Sequence, residues 1–185
     1  FQFHPLNFMK ALAQDCINLG ASIFENCKFV NYQRNSGKIH ASISNNNRVL
    51  NMQSEKVVFA TGGYGGKEIN ELKNYWLPIK TFIGVTKPMG NELHYVLKKP
   101  LGFSDNRRAG NYYRVLPGNR LSWGRGISAV GNYSRSSLKK VISKEISYFF
   151  PELKNIEIDY VWSGNMAYAS PVSYTHLTLP TRRFV

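Results

Sequence analysis

Apolar residues at Met9, Leu12, Cys16 and Leu19 recur every three or four positions, the spacing of one helix face. Pro5 suits the first helical turn and Gly20 the position just past the end, which predicts a helix over residues 5–19. Residues 21–25 read as a short strand, and helix, glycine and strand together predict a unit that returns the chain to a parallel sheet. The period then changes from helical to alternating. Residues 29–33, 38–44 and 48–53, separated by Asn35-Ser36-Gly37 and Asn45-Asn46-Asn47, predict hairpin strands with one wet face. Residues 57–60 are apolar without a break and run directly into Thr61-Gly62-Gly63-Tyr64-Gly65-Gly66. An unbroken apolar run fits a strand covered on both faces, and glycines at its carboxyl end let the backbone approach a ligand. These residues read equally as a nucleotide cradle and as a buried strand with an ordinary glycine turn.

Beyond Gly66 the pattern is polar up to Asn74, where a second domain is expected to begin. Ile79, Phe82, Ile83 and Val85 predict an extended strand over 78–88, and residues 111–116 and 120–128 flank Pro117-Gly118-Asn119 as a second hairpin. Ser136 or Ser137 is expected to cap a helix with the apolar face Leu138, Ile142, Ile146 and Phe149, ended by Pro151. Residues 156–162 read as a further strand. The stretch from Pro171 fits no preceding element and resembles translated sequencing-adapter read-through, so residues 171–185 are expected not to be native to the fold.

Composition narrows the class. With 43% hydrophobic and 14% aromatic residues the chain is too apolar for disorder, and no apolar run approaches the roughly 20 residues of a membrane span. A net charge of +13 points towards nucleic acid, but the cations are scattered with no run of five, so a basic nucleic-acid-binding module is kept only as a rival. Cys16 and Cys27 stand singly and the four histidines are dispersed. No metal site is expected; two free thiols fit a reducing, cytoplasmic setting. The start, Phe1-Gln2-Phe3-His4-Pro5, has neither an initiating Met nor a signal-peptide layout, and the chain is expected to begin inside a longer protein.

The glycine run matches neither common phosphate loop. Glu68 stands where a Walker A loop needs Ser or Thr, Thr61 where it needs its first glycine, and the GxGxxG spacing is absent. Other segments are more specific: His4-Pro5-Leu6-Asn7 opening an Ala-containing helix, Leu19-Gly20-Ala21-Ser22-Ile23-Phe24-Glu25, Val57-Val58-Phe59-Ala60-Thr61-Gly62-Gly63-Tyr64, and Val85-Thr86-Lys87-Pro88-Met89. In this order they resemble the FAD-dependent amine and amino-acid oxidase family. Tyr112-Tyr113-Arg114, Arg120-Leu121-Ser122-Trp123-Gly124-Arg125, Phe150-Pro151-Glu152-Leu153 and Tyr160-Val161-Trp162-Ser163-Gly164 are similar to its gamma-glutamylputrescine oxidoreductase branch.

The resemblance implies an α/β with α+β fold: part of a Rossmann-like FAD-binding domain (1–73, with a return at 162–170) and a mixed-sheet substrate domain (74–161). It implies FAD as cofactor, with Thr61, Gly62 and Gly63 near the diphosphate and ribityl chain, Ser163 and Gly164 in the returning segment, and the Phe29 backbone at the adenine. Phe29 reads equally as a core residue. The chemistry implied takes a hydride equivalent from the carbon beside an amine and releases an imine that water hydrolyses, with oxygen or an electron carrier as the final acceptor. No catalytic residue is assigned. Tyr112, Arg114, Trp123 and Arg125 are candidates for lining the substrate site, because Arg forks bind carboxylates and aromatic rings bracket cations. Taken singly, solvent-facing arginines beside half-buried aromatics on a hairpin explain the same residues. Where family members often carry an Arg shortly after W-x-G, this chain has Asn165-Met166, which favours a polyamine conjugate or secondary amine over a simple α-amino acid. A D-amino-acid or sarcosine-type dehydrogenase is the enzyme rival. With the fingerprint absent, the chain expressed alone is expected not to retain FAD.

Overall fold

The computed structural model describes residues 3–46, 48–65, 69, 75–99, 101–107, 109–129 and 133–169. The expected non-native tail and the Gly66-Lys67-Glu68 segment lie outside them. The chain divides into two compact units, residues 1–61 with 65–74 and residues 62–64 with 75–185.

In the first unit, α1 (Pro5–Asn18) starts at His4, whose Nδ1 accepts the Asn7 N–H at 3.3 Å, and Pro5 sits where no amide donor is missed. Gly20 at φ +94° turns the chain out of the helix. The apolar face read from the sequence is present but uncovered, with Met9 56% and Leu12 45% exposed. A three-stranded antiparallel meander follows: β1 (Cys27–Asn35), β2 (Lys38–Asn45) and β3 (Arg48–Ser54), in the order β1-β2-β3. Ser36 and Gly37 both have positive φ, the requirement of the tight hairpin turn between β1 and β2. A bulge at Val30 brings Phe29 and Tyr32 to the same side, where both rings meet Phe59, at 5.1 and 5.9 Å.

Two expectations fail in this unit. Residues 21–25 form no strand, and neither do residues 57–60, where Val58 is 86% exposed. An apolar run becomes a buried strand only when neighbouring strands pair with it on both sides, and among the described residues none does. The parallel sheet expected here is therefore not formed by the described residues, whose ladders are all antiparallel.

The second unit is a five-stranded antiparallel sheet in the order β5-β6-β7-β4-β8, built from β4 (Trp76–Thr86), β5 (Gly102–Ser104), β6 (Tyr112–Leu116), β7 (Arg120–Ser128) and β8 (Ile158–Ala169). It replaces the mixed sheet expected from the resemblance. Residues 162–169, the segment expected to return to the cofactor domain, form the second half of β8 and pair with β4 from Trp76↔Ala169 onwards. A short helix, α2 (Glu92–Val96), follows β4.

The long helix α3 (Arg135–Phe149) covers one face of this sheet. Its cap is Ser134, whose Oγ accepts the Ser137 N–H at 3.1 Å; Ser136 and Ser137, expected as caps, already lie in the first turn. Leu138, Ile142 and Ile146 are buried on one helical stripe. Gly84 of β4 makes the close approach possible, since a Cβ there would stand 2.9 Å from Ile142 Cδ1. Beneath α3, Tyr113 is sandwiched between Phe103 (5.3 Å) and Trp123 (4.7 Å), both nearly parallel to it, and Leu93, Leu121, Leu153 and Ile158 complete the core.

Candidate functional site

Residues directly opposite one another in an antiparallel ladder share a face. Across β6, β7, β4 and β8 the register therefore draws two rows on the side away from α3: Tyr112, Gly124, Ile83, Trp162 and, one step along, Arg114, Ser122, Val85, Tyr160. The floor of this face is small or aliphatic, and its ends are aromatic. Tyr112, Tyr160 and Trp162 are 42%, 59% and 48% exposed. Three inter-strand spacings, roughly 14 Å, separate the Tyr112 and Trp162 backbones, enough for an extended small molecule.

Both ends of the rows are held. The Tyr112 ring lies over Gly124, where a Cβ would run into it, so the absence of a side chain at 124 creates the ring's seat. At the other end Arg120 Nη1 donates to Asp159 Oδ2 at 2.6 Å and to the Thr86 carbonyl at 3.1 Å, and its guanidinium lies 5.7 Å from the centre of the Tyr160 ring. Thr86, fully buried, accepts the Leu121 N–H on its hydroxyl at 2.9 Å and so locks β4 to β7.

The four proposed lining residues are thereby separated. Tyr112 and Arg114 belong to the open face. Trp123 and Arg125 point to the opposite side: Trp123 is fully buried under α3, and Arg125 pairs with Glu145 of that helix. A ring with no accessible surface cannot touch a substrate, so Trp123 is a core residue. Tyr160 and Trp162 take its place on the open face, and Ser122 joins them. The signal for the first two was present in the sequence, as aromatic residues two apart in a predicted strand.

Of the residues marked for the cofactor, Gly62, Gly63, Ser163 and Gly164 come together in the second unit. The 3-10 turn Gly62–Tyr64 lies against β8, where the Asn165 N–H donates to the Tyr64 hydroxyl at 3.0 Å. Gly63 is closed off by that strand: a Cβ would stand 2.6 Å from the Met166 carbonyl carbon. Gly62 differs, with φ +54° and nothing within 4 Å of the Cβ direction, and the Ser163 residue is exposed. Gly62 and Ser163 thus suit the close approach of a polar ligand, whereas Gly63 serves packing. The Thr61 side chain is packed against Gly65 within the first unit. Phe29 lies on β1, an edge strand of the first unit's meander, and its half-buried ring sits in a cluster with Tyr32 and Phe59.

One ionisable group near the hairpin is strongly perturbed. Asp105 accepts from the Arg107 side chain and from the Asn111 N–H, and these bonds hold its carboxyl at about 2, below the ordinary 3.8. Because the folded value is depressed, the turn's contribution to stability is complete above the ordinary value and is lost as pH falls towards about 2. Asn111 amide protection, followed by hydrogen exchange, is expected to decline over that window in the native chain and to be flat with pH in Asp105→Asn, which keeps an acceptor oxygen but has no carboxyl to protonate.

The chain is 30% identical over 166 residues to a probable oxidoreductase OrdL of Haemophilus influenzae, covering 87% of this chain and 36% of that protein. It is 26% identical over 165 residues to the gamma-glutamylputrescine oxidoreductase of Escherichia coli, covering 88% and 37%. It therefore spans little more than a third of the length of these relatives. Among solved structures, glycine oxidase from Geobacillus kaustophilus superposes with a TM-score of 0.63 at 18% identity, covering 87% of this chain and 41% of that one. A geranylgeranyl bacteriochlorophyll reductase-like protein from Thermoplasma acidophilum gives 0.62 at 16% identity, with the same coverages. These likenesses establish the fold. Residues 1–179 match the family described as DAO, FAD dependent oxidoreductase, and the chain belongs to that family.

Proposed function

We propose that this chain supplies the substrate-facing sheet, and part of the FAD contact, of an oxidoreductase that oxidises the C–N bond of an amine. The observation that carries the reading is the open face of the second unit's sheet, with Tyr112, Trp162 and Tyr160 standing over a floor of Gly124, Ile83, Ser122 and Val85. Aromatic faces attract an alkylammonium group and cover its methylenes, and Arg114 adds positive charge for an anionic end of the substrate. The 26% sequence identity to a gamma-glutamylputrescine oxidoreductase favours a conjugate of that kind, or a secondary amine. FAD, when bound, supplies the acceptor for the hydride equivalent leaving the carbon beside the nitrogen. Gly62 with its open left-handed backbone and the exposed Ser163 are the residues of this unit suited to contact it. The remaining work of the chain is to orient the amine and exclude water.

The test is a full-length protein containing this chain, assayed with gamma-glutamyl polyamines, secondary amines and simple α-amino acids by peroxide release and by dye reduction. Oxidation of the first two classes in preference to the third is expected, and Tyr112→Ala or Trp162→Ala is expected to raise KM about tenfold. Preference for simple α-amino acids, or an unchanged KM in both variants, overturns the proposal. Peroxide release identifies oxygen as the acceptor, and dye reduction without peroxide identifies a carrier.

A further inference from the structure

Glu145 is a carboxylate on the helix side of the sheet, and the proposed chemistry on the other side does not use it. Its two oxygens nonetheless serve three partners. Oε1 accepts from Asn111 Nδ2 at 3.2 Å, and Oε2 accepts from the Trp123 indole N–H at 3.2 Å. Arg125 Nε lies 2.8 Å from the same Oε2, but its N–H is not directed at the oxygen. The contact with Arg125 is therefore an ion pair without an aligned hydrogen bond. Asn111 is itself only 2% exposed, and its own N–H is bound to Asp105 Oδ2 at 2.9 Å, so this end of the network cannot drift.

The positions of those partners in sequence matter more than their number. Asn111 immediately precedes Tyr112. Trp123 and Arg125 flank Gly124, the residue on which the Tyr112 ring is seated. Successive residues of a strand point to opposite faces. One carboxylate on the covered face thus grips the neighbours of both members of the Tyr112–Gly124 pair on the open face, and any shift of β6 against β7 has to break one of its contacts.

We infer that Glu145 is a positioning residue: acting through Asn111, Trp123 and Arg125, it fixes the placement of the Tyr112 ring on the substrate face. Its consequence for catalysis rests on the proposal that Tyr112 lines the substrate site; its effect on the ring does not. Glu145→Gln is the informative change, because an amide keeps the size and one acceptor oxygen while removing the charge opposite Arg125. Glu145→Ala leaves Arg125 without its partner and is expected to unfold more readily.

Two measurements on the full-length protein test the inference. In protein labelled with 3-fluorotyrosine, the fluorine resonance assigned to Tyr112 by its loss in Tyr112→Phe is expected to shift or broaden in Glu145→Gln. An unchanged resonance overturns the inference, whatever the enzyme's substrate. In steady-state kinetics Glu145→Gln is expected to raise KM for the amine about fivefold in the native background, with kcat little changed, and to add nothing further in Tyr112→Ala. An equal rise in both backgrounds overturns it, because a merely structural carboxylate acts without regard to Tyr112. A Tyr112 resonance that moves in Glu145→Gln, alongside a Tyr112→Ala enzyme with unaltered KM, retains the positioning role and removes Tyr112 from the proposed site.

Discussion

Trp123→Ala is expected to destabilise the second unit by about 3–5 kcal/mol, the largest effect of any single truncation proposed for this chain. The indole is fully buried, stacks on Tyr113 at 4.7 Å with the planes 14° apart, and meets a tilted Phe149 ring at 5.5 Å and Phe150 edge-on at 6.1 Å. Removing it opens a cavity between the sheet and α3 and also leaves Glu145 short of the N–H it accepts from. Against a total domain stability of about 5–15 kcal/mol, such a loss approaches unfolding. Trp123→Phe separates the two contributions. It keeps most of the stack and forfeits the hydrogen bond, with an expected cost of about 1–3 kcal/mol. Urea unfolding followed by circular dichroism gives both values, and a cost below about 1 kcal/mol for Trp123→Ala would show that the ring stack is not the centre of the core.

Gly63→Ala is expected to cost about 1–3 kcal/mol, more than the same change one residue earlier. The added Cβ would stand 2.6 and 2.7 Å from the carbonyl carbon and oxygen of Met166 and 2.9 Å from the Asn165 carbonyl carbon. All three are backbone atoms of β8, which cannot rotate out of the way as a side chain can. The turn Gly62–Tyr64 must lift off the strand, and the bond between the Asn165 N–H and the Tyr64 hydroxyl goes with it. Gly62→Ala meets no atom within 4 Å and incurs only the left-handed backbone strain of φ +54°, about 1–2 kcal/mol. Melting temperatures of the two variants decide the matter, with Gly63→Ala the lower. The reverse order would mean that Gly62 carries the packing role. The FAD contact proposed for Gly62 predicts a separate effect: flavin retention by the full-length Gly62→Ala protein weaker than in Gly63→Ala, although Gly62→Ala keeps the higher melting temperature of the two.

Much of the local structure was legible. The three-to-four spacing from Met9 to Leu19 gives α1, and the stripe Leu138, Ile142, Ile146 gives α3. The Asn, Ser and Gly turns give the meander and the β6–β7 hairpin, because only residues tolerant of positive φ fit there; Ser36, Gly37, Gly118 and Asn119 all adopt it. The register of that hairpin was also open to deduction. With Leu116 opposite Arg120, Tyr112 falls opposite Gly124 and Tyr113 opposite Trp123, so Tyr112 and Trp123 must lie on opposite faces. Grouping both as lining residues used the alternation within each strand but not the pairing between them. The run 57–60 shows the opposite limit: hydrophobicity states what a segment tolerates, not which strands stand beside it.

The sequence alone determined which segments form helices and hairpins and, through the order of its motifs, the FAD-dependent family to which the chain belongs. The tertiary structure decided which side of the five-stranded sheet α3 covers, and with it the division of one hairpin into a core face carrying Trp123 and an open face carrying Tyr112. It also decided that residues 162–169 extend the second unit's sheet and that Gly63 packs against them. The reason is physical. Periodicity and turn chemistry act over a few residues and are written locally, whereas the covered face of a sheet is chosen by burial of distant residues, which in β4 turned on the missing side chain of Gly84 beneath Ile142.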